Sequence, residues 1–566
     1  MTSDHTHSAI DRRTFLSMLA AGAGVAAAGP LLAACGGNEG AAGGGAGAVT
    51  SEAAAGRISQ GDDLSQLIPT YREVNYVEPE LPGANGVSPG YLSYPESPVR
   101  SVESPPGGGG RFTAMTPAFW PIPPGLGDNE YYQLVNDDLG ATLEFTIVNG
   151  EDYGARLAAN FAGGNVQDIT CMPLWEGVKP QEFSAQVGQL FEDLTPYLAG
   201  DIADRWPNLA NLPSRAWQYS VFNGKLYGMP FPQGLIDPVA FYRSDLFEEL
   251  GVEPPTSAEE FLALAREINA PGEERWACGD MFVEARRMHN VPADWARRDG
   301  RLVFRYELDE YAAAVEFTRR LYEAECVHPD IVAFNTATSK ELFEGGKMLM
   351  YVDGLGGAWH EALDRQRPSN PDFRMHPLPP YSATADTEPL YWAAVPAGIM
   401  GFVKRGTSGE KMEQILGMMN YIAAPYGTHE YEMVNYGARG THHELDDNGV
   451  PALNEQGQRE VTFTYGFLIG RPDIISKPMY PDYVEDNHAW QTEIARYADP
   501  GILDGLNVEE PPKFANLRQQ FDDSLQDILR LRAPMSELQT AVDTWRSSGG
   551  DELREFYEEQ LSAVGR

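Results

Sequence analysis

Cysteine is nearly absent from this chain: four residues in 566, at positions 35, 171, 278 and 326. So few cannot knit a disulfide framework, and with no C-x-x-C pair there is no four-cysteine zinc site. Positive charge is scarce too. Forty-two Lys and Arg stand against 82 Asp and Glu, a formal net charge of −40, which excludes a surface made to follow nucleic-acid phosphates or anionic lipid. No G-x-x-x-x-G-K-[S/T] phosphate loop and no H-E-x-x-H zinc helix is present. There is no repeat of fixed period. Beyond residue 35, no run approaches the ~20 apolar residues that a membrane helix needs. The chain does have apolar mass, 42% hydrophobic and 11% aromatic residues, enough for a large core in roughly two to four domains.

The first 35 residues stand apart. Arg12 and Arg13 precede the small, apolar stretch Phe15 to Leu32, and Leu32-Ala33-Ala34-Cys35 follows. The stretch is mostly Ala and Gly, which gain little from hydrocarbon, so it reads as an export signal and not a membrane span. The arginine pair followed by Phe15 and Leu16 resembles the twin-arginine signal of folded-protein export. Leu-Ala-Ala-Cys resembles the bacterial lipobox, so residues 1–34 are expected to be removed and Cys35 to be lipidated. Residues 35–60, beginning CGGNEGAAGGGAGAV, are too poor in apolar side chains to fold. They form a flexible tether of about 25–30 Å typical reach.

Residues 61–110 are rich in Pro, Gly and Tyr and read as an extended arm over the surface. From 111 the pattern changes to strands alternating with helices: RFTAM, NEYYQLVNDDLG, ATLEFTIVNG, DYGARLAANFAGG, QDITCM. That alternation argues for a parallel α/β sheet, whose ligand site lies at the carboxyl ends of its strands. PPTSAEEFLALAREI carries overlapping capping boxes, Thr256 with Glu259 and Ser257 with Glu260, and turns Phe261, Leu264, Ala265 and Ile268 to one face. ELDEYAAAVEFTRRLYEAE is a second amphipathic helix, and three more close the chain. Cys171 lies in the apolar run DITCMPLW and reads as a small core residue. If one disulfide forms, Cys278 with Cys326 is the expected pair.

Several segments, in order, carry a resemblance. NGKLYGMPF at 223–231 followed by FYRSDLFEELGVEPPTSAEEFLALAREI, LFEGGKMLMYVDGLG at 342–356, VNYGARGTHHELDDNGVPALNEQG at 434–457 and SSGGDELREFYEEQL near the C-terminus resemble the family 1 extracellular solute-binding proteins of ABC importers, in their long lipoprotein branch. The resemblance covers about residues 111–566. It implies a two-lobe α/β fold of the periplasmic-binding-protein type, class II, with a helical C-terminal end. Lobe 1 would comprise 111–235 and 390–435, and lobe 2 would comprise 236–389 and 436–566. The chain would cross near Met229 to Pro238, return near AVPAGIMGF and cross again near Tyr436. Members of the branch bind oligosaccharides, uronic ones included. Alginate-binding members carry a calcium loop where this chain has REINAPGEERWACGD, which offers Glu273, Glu274 and few other oxygens, so no calcium site and no cofactor are expected.

A sugar cleft wants aromatic faces edged by polar groups. Trp120, Trp175, Trp359 and Trp392 lie at element ends, Asp353 follows a second-lobe strand, Gln233 sits at the hinge, and Arg439 offers a bidentate donor. Each has a plainer alternative: core packing for a tryptophan, a turn for Gln233, an interlobe ion pair for Arg439. His442, His443, Asp446 and Asp447 suggest a metal, yet Asp-Asp-Asn-Gly is a hairpin signal and adjacent strand histidines face opposite ways. The rival is an exported carbohydrate hydrolase with paired carboxylates, for which Glu176, Asp237 and Glu284 are the nearest candidates. A surface adhesion protein is a third class, disfavoured by the lack of repeats. The expectation is a monomeric, lipid-anchored, non-enzymatic sugar-capture protein outside the membrane, with an importer permease as partner, no contact with nucleic acid, and neutral or mixed oligosaccharides favoured by the acidic surface.

Overall fold

The computed structural model describes residues 57–60, 64–173, 180–331, 336–504 and 506–566. The signal, Cys35, most of the tether, Trp175 and Glu176 therefore lie outside the described residues. The first sheet is built from β1 (Arg111–Ala118), β2 (Thr142–Asn149) and β3 (Ile169–Pro173), joined through helices α1 (Glu130–Leu139) and α2 (Gly150–Gly163). β1 pairs in parallel with β2 and with β3. Helix α1 starts where Asn129 accepts the Tyr132 N–H and stops at Gly140, whose φ of 64° suits glycine. It buries Tyr131, Tyr132, Val135 and Leu139. β3 is buried at every residue, as a strand covered on both faces must be. β4 (Gly228–Phe231) completes this sheet from further along the chain.

After β4 the chain leaves for a second sheet through 232–238. That sheet holds β5 (Val239–Tyr242), β6 (Trp276–Cys278), β7 (Met348–Asp353) and β8 (His376–Pro377), in the order β6-β7-β5-β8. Between these strands run α3 (Ala258–Ile268), α4 (Phe282–Met288), α5 (Asp309–Glu323) and α6 (Leu355–Gln366). The chain then returns through 393–398 to β9 (Ile399–Val403), which inserts antiparallel between β3 and β4, giving β2-β1-β3-β9-β4. Helices α7 (Gly409–Ile422) and α8 (His429–Tyr436) follow. Each sheet is covered on both faces by its own apolar cluster: Phe112, Leu143 and Met229 with α7 on one side of the first and Met115, Met172 and Phe402 on the other. Ala240, Cys278 and Leu349 with α5 lie on one side of the second, and Phe241, Tyr351 and Trp359 on the other. The C-terminal helices α9 (Gln519–Leu529), α10 (Glu537–Trp545) and α11 (Asp551–Ala563) join the second lobe. Tyr306 stacks on Phe521 at 3.6 Å between centroids and Phe304 on Trp545 at 5.0 Å.

Four features differ from expectation. Residues 57–60, read as the end of a flexible tether, form a strand, Arg57–Gln60, that pairs antiparallel with Leu506–Glu509. The last crossing is not near Tyr436: Met433, Val434, Tyr465, Leu468 and Ile469 all pack with the first sheet, and only at Ile475 does the chain enter the second lobe's core. The third crossing is therefore 470–474. The arm is more than a surface covering, because it buries Leu64, Ile68, Val87, Tyr91 and Tyr94. Finally, Cys278 and Cys326 are both free and buried, the Cys278 thiol donating to the Cys326 carbonyl at 3.7 Å.

Candidate functional site

Both sheets present a carboxyl edge, and the first crossing, from Pro232 to Pro238, joins one edge to the other. The groups at these edges are the candidates for a ligand site. At the end of β1, Phe119 is 53% exposed, while Trp120 stacks almost parallel on Phe467 at 5.8 Å between centroids. Phe467 meets Phe463 at 5.4 Å, and Phe463 meets Phe231, the last residue of β4, at 5.7 Å. An aromatic ladder thus runs along the carboxyl edge of the first sheet to the hinge. The indole Nε1 of Trp120 is buried and has no hydrogen-bond partner among the described residues. Such a group carries a penalty of about 1–3 kcal/mol until something accepts its proton. Arg471 opens the third crossing, its guanidinium 4.8 Å from the Tyr431 ring and 6.0 Å from Phe463. Among the described residues it has no ion pair, in a chain whose net charge is −40.

On the second lobe, Asp237 accepts the Leu355 N–H at 2.7 Å and Asp353 accepts the Gly354 N–H at 2.7 Å. Lys340 Nζ lies 3.6 Å from the other Asp353 oxygen. Burial, then the nearby charges of Asp353 and Asp473, push the Asp237 carboxyl up against the pull of Leu355 N–H and Arg287. Glu284 is buried and also raised, chiefly by desolvation. Arg287 stands 5.3 Å from the Tyr391 ring and 5.1 Å from Trp392, its three guanidinium nitrogens without a hydrogen-bond partner among the described residues.

The expected site residues separate cleanly. Trp120, Gln233 and Asp353 lie at the two edges and the crossing, Gln233 fixed through its backbone N–H to Pro396 O at 3.1 Å. Trp359 is 2% exposed and packs edge-on against Phe241 and Tyr483, so it is core. Trp392 is 9% exposed, its indole N–H committed to Val291 O at 2.8 Å. Arg439 pairs with Glu432 at 3.2 Å, not across the lobes. His442 faces Glu460 at 3.5 Å and His443 faces Glu432 at 3.1 Å, on opposite sides of a hairpin that Asp446 closes by accepting the Asn448 and Val450 N–H groups. Trp175 lies outside the described residues. The sequence reading missed Phe119, Phe231, Phe463, Phe467 and Arg471; the dense F-T-Y-G-F run at 463–467 was the available signal.

It also counted no G-x-S-x-G hydrolase elbow, yet Gly86-Val87-Ser88-Pro89-Gly90 has the spacing of one. That elbow needs a strand-to-helix turn with an exposed serine. Ser88 instead lies buried in the arm, just before the short strand Gly90–Tyr91, and gives its hydroxyl to Asp473 at 2.5 Å. Elsewhere, a cavity of about 440 Å³ lies between α9 and α10, away from every crossing. A smaller one of about 160 Å³ lies where Arg215 of the first lobe pairs with Asp504 of the second at 3.0 Å. Among the described residues no helix is long and apolar enough to cross a membrane.

Comparison with known proteins adds to this geometry. The model of the bacterial extracellular solute-binding protein family matches residues 101–399. The polygalacturonan/rhamnogalacturonan-binding protein YtcQ of Bacillus subtilis is 20% identical over 455 residues, 76% of this chain and 86% of its own. Lipoprotein LipO of the same organism is 20% identical over 407 residues, 64% of this chain and 75% of its own. The solved structure of an HMO-binding, ABC-transporter-associated solute-binding protein from Bifidobacterium longum infantis superposes with a TM-score of 0.60 at 14% identity, covering 81% of this chain and 100% of that one. At that identity the likeness shows the fold, two α/β lobes of the periplasmic solute-binding type.

Proposed function

The chain belongs to the bacterial extracellular solute-binding protein family, and from that premise we propose that it captures an oligosaccharide in the interlobe cleft and delivers it to an ABC importer. The observation that carries this reading is the aromatic ladder at the carboxyl edge of the first sheet, with a Trp120 N–H that has no partner among the described residues. Sugar rings present C–H faces edged by hydroxyls, and such a ladder supplies both a stacking face and a donor. Phe119 and Trp120 would form the platform. Gln233, Asp353 and Arg471 would take hydroxyls, and Arg471 would also take a carboxylate, in keeping with a relative named for polygalacturonan. Hinge closure over the sugar would make the loaded form legible to the permease. Residues 1–34 would be removed, and Cys35, lipidated, would hold the protein at the outer face of the membrane, in keeping with a lipoprotein relative.

A thermal-shift screen against neutral and uronic oligosaccharides tests the capture. A ligand at about 100 times its Kd adds roughly 2.7 kcal/mol, a shift of a few degrees for a body this size. A shift with one sugar class, and the same sugar recovered intact, is the expected result. Recovery of shorter products would turn the assignment to a hydrolase, and silence from every sugar would turn it to another solute.

A further inference from the structure

The arm is placed in a way that capture alone does not explain. It follows a short strand, Arg57–Gln60, paired antiparallel with Leu506–Glu509 of the second lobe, and then enters the first lobe, where Leu64 and Ile68 are buried with Phe112 and Leu143. Gly200 N–H donates to Ile68 O at 2.8 Å, and Asn211 brackets Val74 with two hydrogen bonds of 2.9 and 2.8 Å. It also ends there. Val99 N–H donates to Gly427 O at 3.1 Å, the buried Glu430 carboxylate accepts from the N–H groups of Ser101 and Val102, and Gly107 N–H donates to Leu139 O at 2.8 Å.

Its middle reaches the other lobe, although Tyr91 still lies 4.4 Å from Tyr426 of the first lobe between ring centroids and the Tyr426 hydroxyl donates to Ser93 O at 2.7 Å. Leu81 and Leu92 pack against the cluster that holds Phe241 and Tyr351. Gly90–Tyr91 pairs in parallel with Ile475–Ser476, and the His488 ring bonds Pro82 O at 3.1 Å. Leu81 and Gly90 exchange both backbone hydrogen bonds, at 3.0 and 2.7 Å, so the outgoing and returning legs form a hairpin. The tip of that hairpin rests on the hinge itself. Ser88 bonds Asp473 of the third crossing, and a methyl group placed on Gly86 would lie 3.1 Å from Leu235 of the first. Both legs are stiffened by proline, Pro79 and Pro82 outgoing, Pro95 and Pro98 returning.

We infer that this hairpin is a strap across the hinge: rooted in the first lobe and docked by its tip on the second and on two of the three crossings, it sets the balance between open and closed cleft. The inference rests on the hinge-closing capture proposed above. When the lobes rotate about their crossings, the pocket under Leu81 and Leu92 moves relative to the roots at Gly200 and Glu430. The tip then either undocks or pulls its stiff legs along. The strap therefore favours the cleft width at which it sits docked, and the affinity for any ligand scales with the fraction of molecules held at the competent width.

Spin labels on cysteines introduced at exposed Ala159 of α2 and exposed Ala313 of α5 read the interlobe distance without any sugar. In the full chain carrying Cys35→Ser, the three native thiols are buried. The double variant Leu81→Ser, Leu92→Ser undocks the tip, which faster amide exchange at Leu81 and Gly90 verifies. Ser88→Ala is a milder form that leaves both roots and both leucines in place. The expected result is a displaced or broadened distance distribution, larger in the double variant, with the Kd of any sugar that binds changed about threefold or more. An unchanged distribution in Ser88→Ala together with an undocked double variant that also keeps the parent distribution overturns the strap. If the double variant fails to fold, Ser88→Ala decides alone. Because the distances need no ligand, the two proposals fail separately: a responsive distribution in a chain that binds no sugar sinks only the capture, and tight sugar binding with an indifferent distribution sinks only the strap.

Discussion

Trp120 and Trp359 are the same residue at similar places in the sequence, each just past a strand, and the fold uses them oppositely. Trp359 lies on α6 within the apolar cluster of the second sheet, so Trp359→Ala should destabilise the chain by about 3–5 kcal/mol in urea unfolding. Trp120 keeps one face on Phe467, and its N–H has no partner among the described residues. Trp120→Ala should therefore weaken oligosaccharide binding about tenfold or more while moving the melting temperature much less than Trp359→Ala does; equal losses of stability would make Trp120 another core residue. Position after a strand was legible in the sequence. Whether the ring turns inward depends on the helix register that follows, and that is set by packing. The cysteines make a parallel case. Burial pushes the Cys171, Cys278 and Cys326 thiols up, so none should react with a thiol reagent in the folded chain and all three should react in denaturant. A count of one in denaturant would restore the disulfide.

Elements defined by local chemistry could be read from the sequence, and those defined by distant partners could not. The cap of α3 is a local case. Ser257 accepts the Glu260 N–H at 3.3 Å, and the Glu260 carboxylate reaches back to Thr256, where it takes both the N–H and the hydroxyl. Ser257→Ala should cost about 1 kcal/mol. The third crossing is the opposite case. Nothing local to Tyr436 or Arg471 says which sheet the intervening helix and turns will cover, so the crossing was placed some 35 residues early. The root of the arm beside α8 has its own acid signature. Burial would raise Asp138, but hydrogen bonds from His429 and Tyr421, with the His429 and Arg100 charges, bring it down to about 2. A carboxyl lowered in the folded state stabilises above its unfolded value near 3.8 and loses that contribution as pH falls through its folded value. The urea midpoint should fall between pH 4 and pH 2, and more shallowly in Asp138→Asn. Parallel curves for parent and variant would remove Asp138 from the acid transition.

At the scale of the whole molecule, the two-lobe plan was legible because strands, helices and short crossings leave local patterns, and the strap was not, because a proline-rich segment shows neither period. The charge of the whole chain bears on where it resides. The net charge of −40 repels an anionic bilayer. In the proposed reading, residence at the membrane depends on a lipid at Cys35. Two acyl chains hold a protein stably where one does not. Cys35→Ser should accordingly move the full chain from the membrane fraction to the soluble one at any salt concentration, with oligosaccharide affinity unchanged. Arg12→Lys with Arg13→Lys should instead keep it inside the cell, folded and with an intact signal. Retention of Cys35→Ser at the membrane, released by salt, would mean that the acidic body binds a basic partner there, and the permease would be the first to test.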